Sequence, residues 1–328
     1  MTKSLPSNFQ WAQILPEKQE ELGGARSSLV TFYALGPQRV VRDVGSGFII
    51  AGNSEMAIVM TARHVLDFAT DVQNPSIAAP SSPFAPERRL NLADADKFKA
   101  VWFGGGTAVL LDVKVAHYAT SLDLAVCVVQ PHNKDVPFAP YSIALATRHP
   151  SIGQEVGVMS CLIRPATEIT PPQTYDGIGQ TLQIQNRVFM RLGRVTGVYP
   201  EGHRQYGWPC FTASMPTEPG MSGGLALLNI PGENYSACGV LCADCSPPEA
   251  KDDNKVAGES VFGSAWSALG LSVPVVVKGS GANGSSTLFD LIKSEGLLPA
   301  LGGLDHITIE KDADGNIVAV HYEDADAH

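Results

Sequence analysis

The sequence predicts an all-β protein on three observations. Short runs rich in Val, Ile, Leu, Phe and Tyr recur along most of the chain. Gly, Pro, Asn and Asp separate these runs at the spacing of a sandwich or barrel. Nothing between them has the long helical period that a parallel α/β sheet needs between its strands.

In order, "SSLVTFYALG", "GSGFIIAG" and "EMAIVMTARHVL" read as strands. "FKAVWFGGGTAVLLDVKVAHY" reads as two strands joined at Gly104 to Gly106, and "DLAVCVVQ" closes the first half. The second half continues with "GQEVGVMSCLI", "TLQIQNRVFMRLGRVTGVYP", "WPCFTASM", "GGLALLN" and "SACGVLCA". Asp71 to Arg89 is rich in proline and serine and reads as an exposed insertion. Lys278 to Ser286, "KGSGANGSS", has the composition of a flexible linker. Beyond it, "TLFDLIKSEG" has helical spacing with a Thr287/Asp290 cap, and "ITIEKDADGNIVAVHY" reads as a hairpin. There is no repeat at solenoid periods.

The 328 residues allow two ordinary domains or one large all-β unit with an appendage. A net charge of -10, with no cluster of Lys and Arg, argues against nucleic acid as partner. No apolar run is long enough to cross a bilayer, and the amino terminus lacks the features of a secretory signal, so a cytoplasmic protein without membrane partners is expected. Without export, the six cysteines read as reduced thiols.

The stretch "TEPGMSGGLALLN" carries the first chemistry. Gly220-Met221-Ser222-Gly223-Gly224 fits the G-x-S-x-G elbow of α/β-hydrolases, but that elbow needs a helix after the serine and a later histidine. Here another β-rich run follows, and the later histidines, His306, His321 and His328, all lie in the tail. The opposite order has better contexts: His64 after a hydrophobic strand in "MTARHVL", then Asp123 before one in "TSLDLAVCVV", then Ser222. Asp112 on the preceding strand is a rival acid.

Thr61-Ala62-Arg63-His64, Asp123-Leu124-Ala125-Val126 and Gly220 to Gly224 resemble, in order, the three motifs of the chymotrypsin-like (trypsin-fold) serine peptidases. "GSGFII", Gly45 to Ile50, is similar to the strand that leads to the histidine in that family. The resemblance implies two six-stranded antiparallel β-barrels with the active site between them. The resemblance covers a 27–278 peptidase domain (barrel 1 about 27–135, barrel 2 about 150–278) and leaves the tail unexplained; around that domain the residues read as a 1–26 extension, a 279–286 linker and a small 287–328 helix-plus-hairpin element. The same resemblance implies a serine endopeptidase acting on protein or peptide through an acyl-enzyme. His64 would be the base that activates Ser222, Asp123 would hold the imidazole, and the Gly220 and Ser222 N–H groups would receive the oxyanion. A peptide-binding relative without turnover and a serine esterase are the alternatives.

In zymogen-derived members of the family an aspartate precedes the serine. Met221 stands there, so activation by a freed amino terminus is not expected. The resemblance sets Met215, Pro216, Cys242, Ala243 and Asp244 around the primary pocket, where Asp244 would either select a basic side chain or simply meet solvent. No cofactor is required. The spacing of Cys238, Cys242 and Cys245, with Cys210 or His203 nearby, lacks an obvious fourth zinc ligand, so these read as strand residues and metal is not expected. "KDADGNIV" holds Ile317 where a calcium loop needs glycine, and the Gly104 to Gly106 turn has no lysine placed for a phosphate loop. The tail is read as a docking element for a protein partner.

Overall fold

Thr107–Tyr118 shows how this sequence makes its strands. Along "TAVLLDVKVAHY" every second residue from Val109 to Val115 is buried and those between are partly exposed, so one face meets a core. The branched valines suit this pleated, half-buried surface.

A computed structural model of the protein describes residues 12–14, 24–35, 41–68, 88–92, 98–104, 107–119, 121–165, 184–204, 206–217, 220–228, 235–244, 258–276, 283–294, 298–313, 315 and 317–323. The first six barrel strands are β1 (Leu29–Leu35), β2 (Val41–Gly52), β3 (Ala57–Ala62), β4 (Phe98–Gly104), β5 (Thr107–Tyr118) and β6 (Leu124–Pro131). The second six are β7 (Glu155–Pro165), β8 (Ile184–Tyr199), β9 (Cys210–Ala213), β10 (Leu225–Leu228), β11 (Ser236–Asp244) and β12 (Ser260–Ser264).

The first set closes as β1-β2-β3-β6-β5-β4, with β4 returning to β1. The second closes as β7-β8-β9-β12-β11-β10, with β10 returning to β7. The two six-stranded antiparallel barrels therefore share one connectivity. Closure pairs each barrel strand on both sides over part of its length, and short added strands cover what protrudes: Ala12–Ile14 on β8, Arg88–Asn91 on β5 and Ala144–Ala146 on β11. Phe32 stacks on Phe98 inside the first barrel (ring centroids 5.5 Å apart) and Phe211 on Phe262 inside the second (5.0 Å). Burying one such ring contributes about 1.5–3 kcal/mol.

Three expectations need amendment. The sixth strand of the second barrel, "SVFGS", was not among the predicted strands, because its glycine and serines mask the alternation. The linker is shorter than 279–286, since Asn283–Thr287 is a strand paired with Ser272–Val276 through backbone groups that need no large side chains. Most of the Asp71 to Arg89 insertion lies outside the described residues, and its end, Arg88–Asn91, is a strand on β5.

The tail holds a short capped helix and a hairpin. Thr287 Oγ1 accepts from the Asp290 N–H (3.0 Å) at the start of the helix Leu288–Lys293, and Ile307–Lys311 pairs with Ile317–Tyr322. The tail also packs on the rest of the chain. Leu288, Leu291, Leu298 and Ile307 join the main core, and Ala300–Leu301 lies parallel to Ala144–Ala146, which in turn pairs with the start of β11. Among the described residues, no helix is long and apolar enough to cross a membrane.

At this junction the His149 ring meets Trp266 and Tyr322 edge-on. Trp266 Nε1–H donates to His149 Nε2 (3.0 Å). Burial, with a smaller push from His306, lowers the His149 pKa from 6.5 to about 4. An imidazole that must stay neutral when folded but protonates readily when unfolded makes stability fall as pH drops from 6.5 towards 4. The window corresponds to roughly 3 kcal/mol. Thermal melts of His149→Phe should therefore show a flatter pH dependence over this range than wild type.

Candidate active site

β3 delivers His64. The Thr61 hydroxyl donates to the Ser46 carbonyl (2.6 Å), the strand ends at Ala62, and a short 3-10 helix, Arg63–Phe68, carries the imidazole. The first N–H groups of such a turn have no partner within it and need acceptors. Asp123, at the start of β6, supplies two: its carbonyl accepts from Arg63 N–H (3.2 Å) and its Oδ1 from His64 N–H (3.1 Å).

The other oxygen, Asp123 Oδ2, accepts from His64 Nδ1–H (2.9 Å). The Asp123 carboxylate is buried and the imidazole is one-third exposed. With the proton held on Nδ1, Nε2 is left as the basic nitrogen. Burial pulls the His64 pKa down, but the Asp123 hydrogen bond and charge outweigh it, with Asp67 adding, and the net shift is upward from 6.5.

Asp123 rests on Cys242. Cys242 is the extra residue of a bulge, since Leu241 pairs with Phe262 and Ala243 with Val261. The bulge turns its thiol towards Asp123, with Sγ 3.5 Å from the carbonyl oxygen. Burial and the Asp123 charge push this thiol well above its usual pKa, so it remains neutral under the carboxylate. Cys242 thus directs its side chain at Asp123; this contact was not foreseen, because sequence patterns do not show bulges.

The Ser222 loop is held against both barrels. Gly220 (φ 90°) and Gly223 (φ 82°) take backbone angles that favour glycine. Gly223 N–H donates to Leu241 O (2.8 Å), and Gly224 N–H donates to Met221 O (3.0 Å). From the first barrel, Ser46 N–H donates to Ser222 O (2.7 Å). The buried Ser46 hydroxyl also donates to Cys161 O (2.8 Å) and accepts from Cys161 N–H (3.1 Å), so Ser46 pins β2 to β7 beside the loop. A methyl group on Gly45 would meet Val65 on the His64 turn (2.6 Å) and Ser222 O (2.8 Å), so the two segments flank this glycine. Among the described residues, the Gly220 and Ser222 N–H groups have no acceptor, and no hydrogen bond joins the Ser222 hydroxyl to His64.

The other candidates fall as follows. Met221 is fully buried in the second-barrel core, where it packs and pairs with no charge. Met215 is buried there too, Pro216 packs on Gly258, and Ala243 and Asp244 end β11 opposite Val261 and Ser260. The Asp244 side chain lies outside the described residues. Asp112 is engaged elsewhere: partial burial opposes its ionisation, yet Lys99, Lys114 and His132 hold its pKa at about 2. His306 is buried with Nε2–H donating to Thr147 O (2.8 Å), and His321 pairs with Glu310 (3.0 Å). His328 and Cys245 lie outside the described residues. Cys238 is a buried strand residue, and among the described residues no group of His, Cys, Asp or Glu is placed to hold a metal ion.

Two closed barrels with one connectivity, and a His-Asp pair beside a glycine-bound serine loop at their seam, define a chymotrypsin-like architecture. The sequence model of the trypsin-like peptidase domain matches residues 45–233, more than half of the chain, and the chain belongs to that family. No curated protein is a significant match. Among solved structures, the chain is similar to Rv3671c from M. tuberculosis H37Rv, an inactive serine-to-alanine mutant. That match has 17% identity and a TM-score of 0.39, and it covers 77% of this chain and 91% of that one. It is also similar to the apo MamO protease domain from Magnetospirillum magneticum, with 14% identity and a TM-score of 0.42, covering 74% of this chain and 95% of that one.

Proposed function

We propose that the protein is a serine endopeptidase in which His64, Asp123 and Ser222 form one catalytic unit. The observation that carries this is the buried Asp123 carboxylate, which bonds both the ring and the backbone of His64 while the Ser222 loop is tied to Ser46 alongside. Ser222 Oγ attacks the scissile carbonyl as His64 Nε2 takes its proton. The imidazolium then gives that proton to the leaving amine, and water repeats the sequence on the acyl-enzyme. The Gly220 and Ser222 N–H groups, without acceptors among the described residues, are the donors available to the oxyanion.

One observation favours a second reading, a peptide-binding cleft without turnover: the Ser222 hydroxyl makes no hydrogen bond to His64 among the described residues. Such bonds are often long without substrate and tighten in the complex, so hydrolysis is preferred. Incubation with a peptide library tests the choice. Wild type is expected to cleave, and Ser222→Ala is expected to lose at least a thousandfold in rate. Equal cleavage by both proteins, or binding without cleavage by wild type, would overturn the peptidase reading.

A further inference from the structure

The second barrel contains a cation that the triad does not use. Arg191 lies on β8 and is only 6% exposed. Among the described residues it has no ion pair, and its Nε–H is closed to solvent without an acceptor. Burial lowers its pKa, since partial removal of a charge from water disfavours the charged form. An unpaired buried charge is costly, and a site that receives an anion accounts for it.

The strand register locates this charge. From Ile184 to Arg194, β8 pairs with β7 without a bulge, so Phe189, Arg191 and Gly193 lie on one face. Phe189 packs against the second-barrel core, which makes this the inner face. At Gly193 an added methyl would meet the Met215 side chain at 2.4 Å, and Ser214 N–H donates to Arg194 O (2.9 Å). The segment leading to the nucleophile therefore leaves the barrel wall level with Gly193. It returns level with Phe189, whose partner Ser160 donates to Met221 O (3.3 Å). Arg191 lies between these two levels, on the inner face of β8.

We propose that Arg191 sets substrate specificity by receiving the acidic side chain, Glu or Asp, of the residue on the acyl side of the scissile bond. The assignment of this position to substrate rests on the peptidase reading. A guanidinium suits the task because its planar fork meets a carboxylate with two parallel hydrogen bonds. Of the Arg191 nitrogens, only Nε is both closed to solvent and without an acceptor, so the outer two are the ones a carboxylate would meet. This runs opposite to the basic preference that Asp244 alone would suggest.

The test separates binding from turnover. Ser222→Ala protein is titrated, by fluorescence anisotropy, with fluorescein-labelled hexapeptides that differ only in a carboxy-terminal Glu, Gln or Lys. The Glu peptide is expected to bind about tenfold more tightly than Gln, and Lys most weakly. Adding Arg191→Met should erase the Glu advantage, and Arg191→Lys should keep part of it. Equal binding of Glu and Gln, or a preference for Lys, overturns the proposal, and that ranking decides the matter even if Arg191→Met fails to fold. If Glu is preferred but wild type shows no Ser222-dependent cleavage, the acidic site stands and the peptidase reading falls. Ser222-dependent cleavage after Lys or aromatic residues gives the reverse.

Discussion

Asp123→Asn is expected to lower kcat by about ten-thousandfold. The carboxylate makes two bonds to His64, and the amide cannot replace both equally. If the amide oxygen takes the place of Oδ1, which accepts from the His64 backbone, the NH2 group faces Nδ1. Nδ1 must then become an acceptor, and the proton moves to Nε2, where the serine's proton has to be received. The pH profile of kcat/KM separates this effect from mere disruption. Asp123 raises the His64 pKa, so the acid limb in wild type should lie above pH 6.5, with activity lost as pH falls through it and His64 protonates. Without the Asp123 charge, burial should dominate, and the limb of any residual activity should move below its wild-type position. Loss of activity with an unmoved limb would contradict this role.

Gly223→Ala should sharply reduce activity, chiefly through a steric clash. A methyl group there would lie 1.8 Å from the Ser46 carbonyl oxygen and 2.5 Å from the Thr61 hydroxyl, and φ is 82°. The obstructing oxygen belongs to backbone that also accepts from Thr61, so it cannot swing aside as a flexible side chain could. Either the Ser222 loop lifts off the first barrel, breaking Ser46 N–H to Ser222 O, or the barrels separate at their seam. Both outcomes should reduce turnover by at least a hundredfold and lower the melting temperature by several degrees. Gly315→Ala, where a methyl group meets nothing within 4 Å at the same φ of 82°, is the control for backbone strain alone. Near-wild-type activity in Gly223→Ala would mean that the loop is not held as described.

The sequence made the fold and most of the candidate site legible where chemistry and pattern coincide. His64 and Asp123 stand at the ends of alternating or continuous apolar runs, so their neighbours announce both the strand and its end. The glycines around Ser222 announce a turn, and Gly223 fits that role through its contact with Ser46. Contacts between segments far apart in the chain were not legible. Ser46 pins two barrels through one hydroxyl, and Cys242 reaches Asp123 through a bulge, which leaves no periodic trace. Arg191 reads as an ordinary polar residue of a long strand until the register places it on the inner face. "SVFGS" and "NGSST" were missed because backbone pairing, with few large side chains, makes them strands.

Activation of Ser222 by His64 is the step on which the proposed chemistry depends. Labelling by a fluorophosphonate, read by intact mass and peptide mapping, tests it without knowledge of the natural substrate. One adduct, on Ser222, is expected in the wild-type chain, and labelling should slow at least a thousandfold in His64→Ala with the fold retained by circular dichroism. Labelling of Ser222 at the wild-type rate in His64→Ala, or its complete absence in wild type, would contradict it.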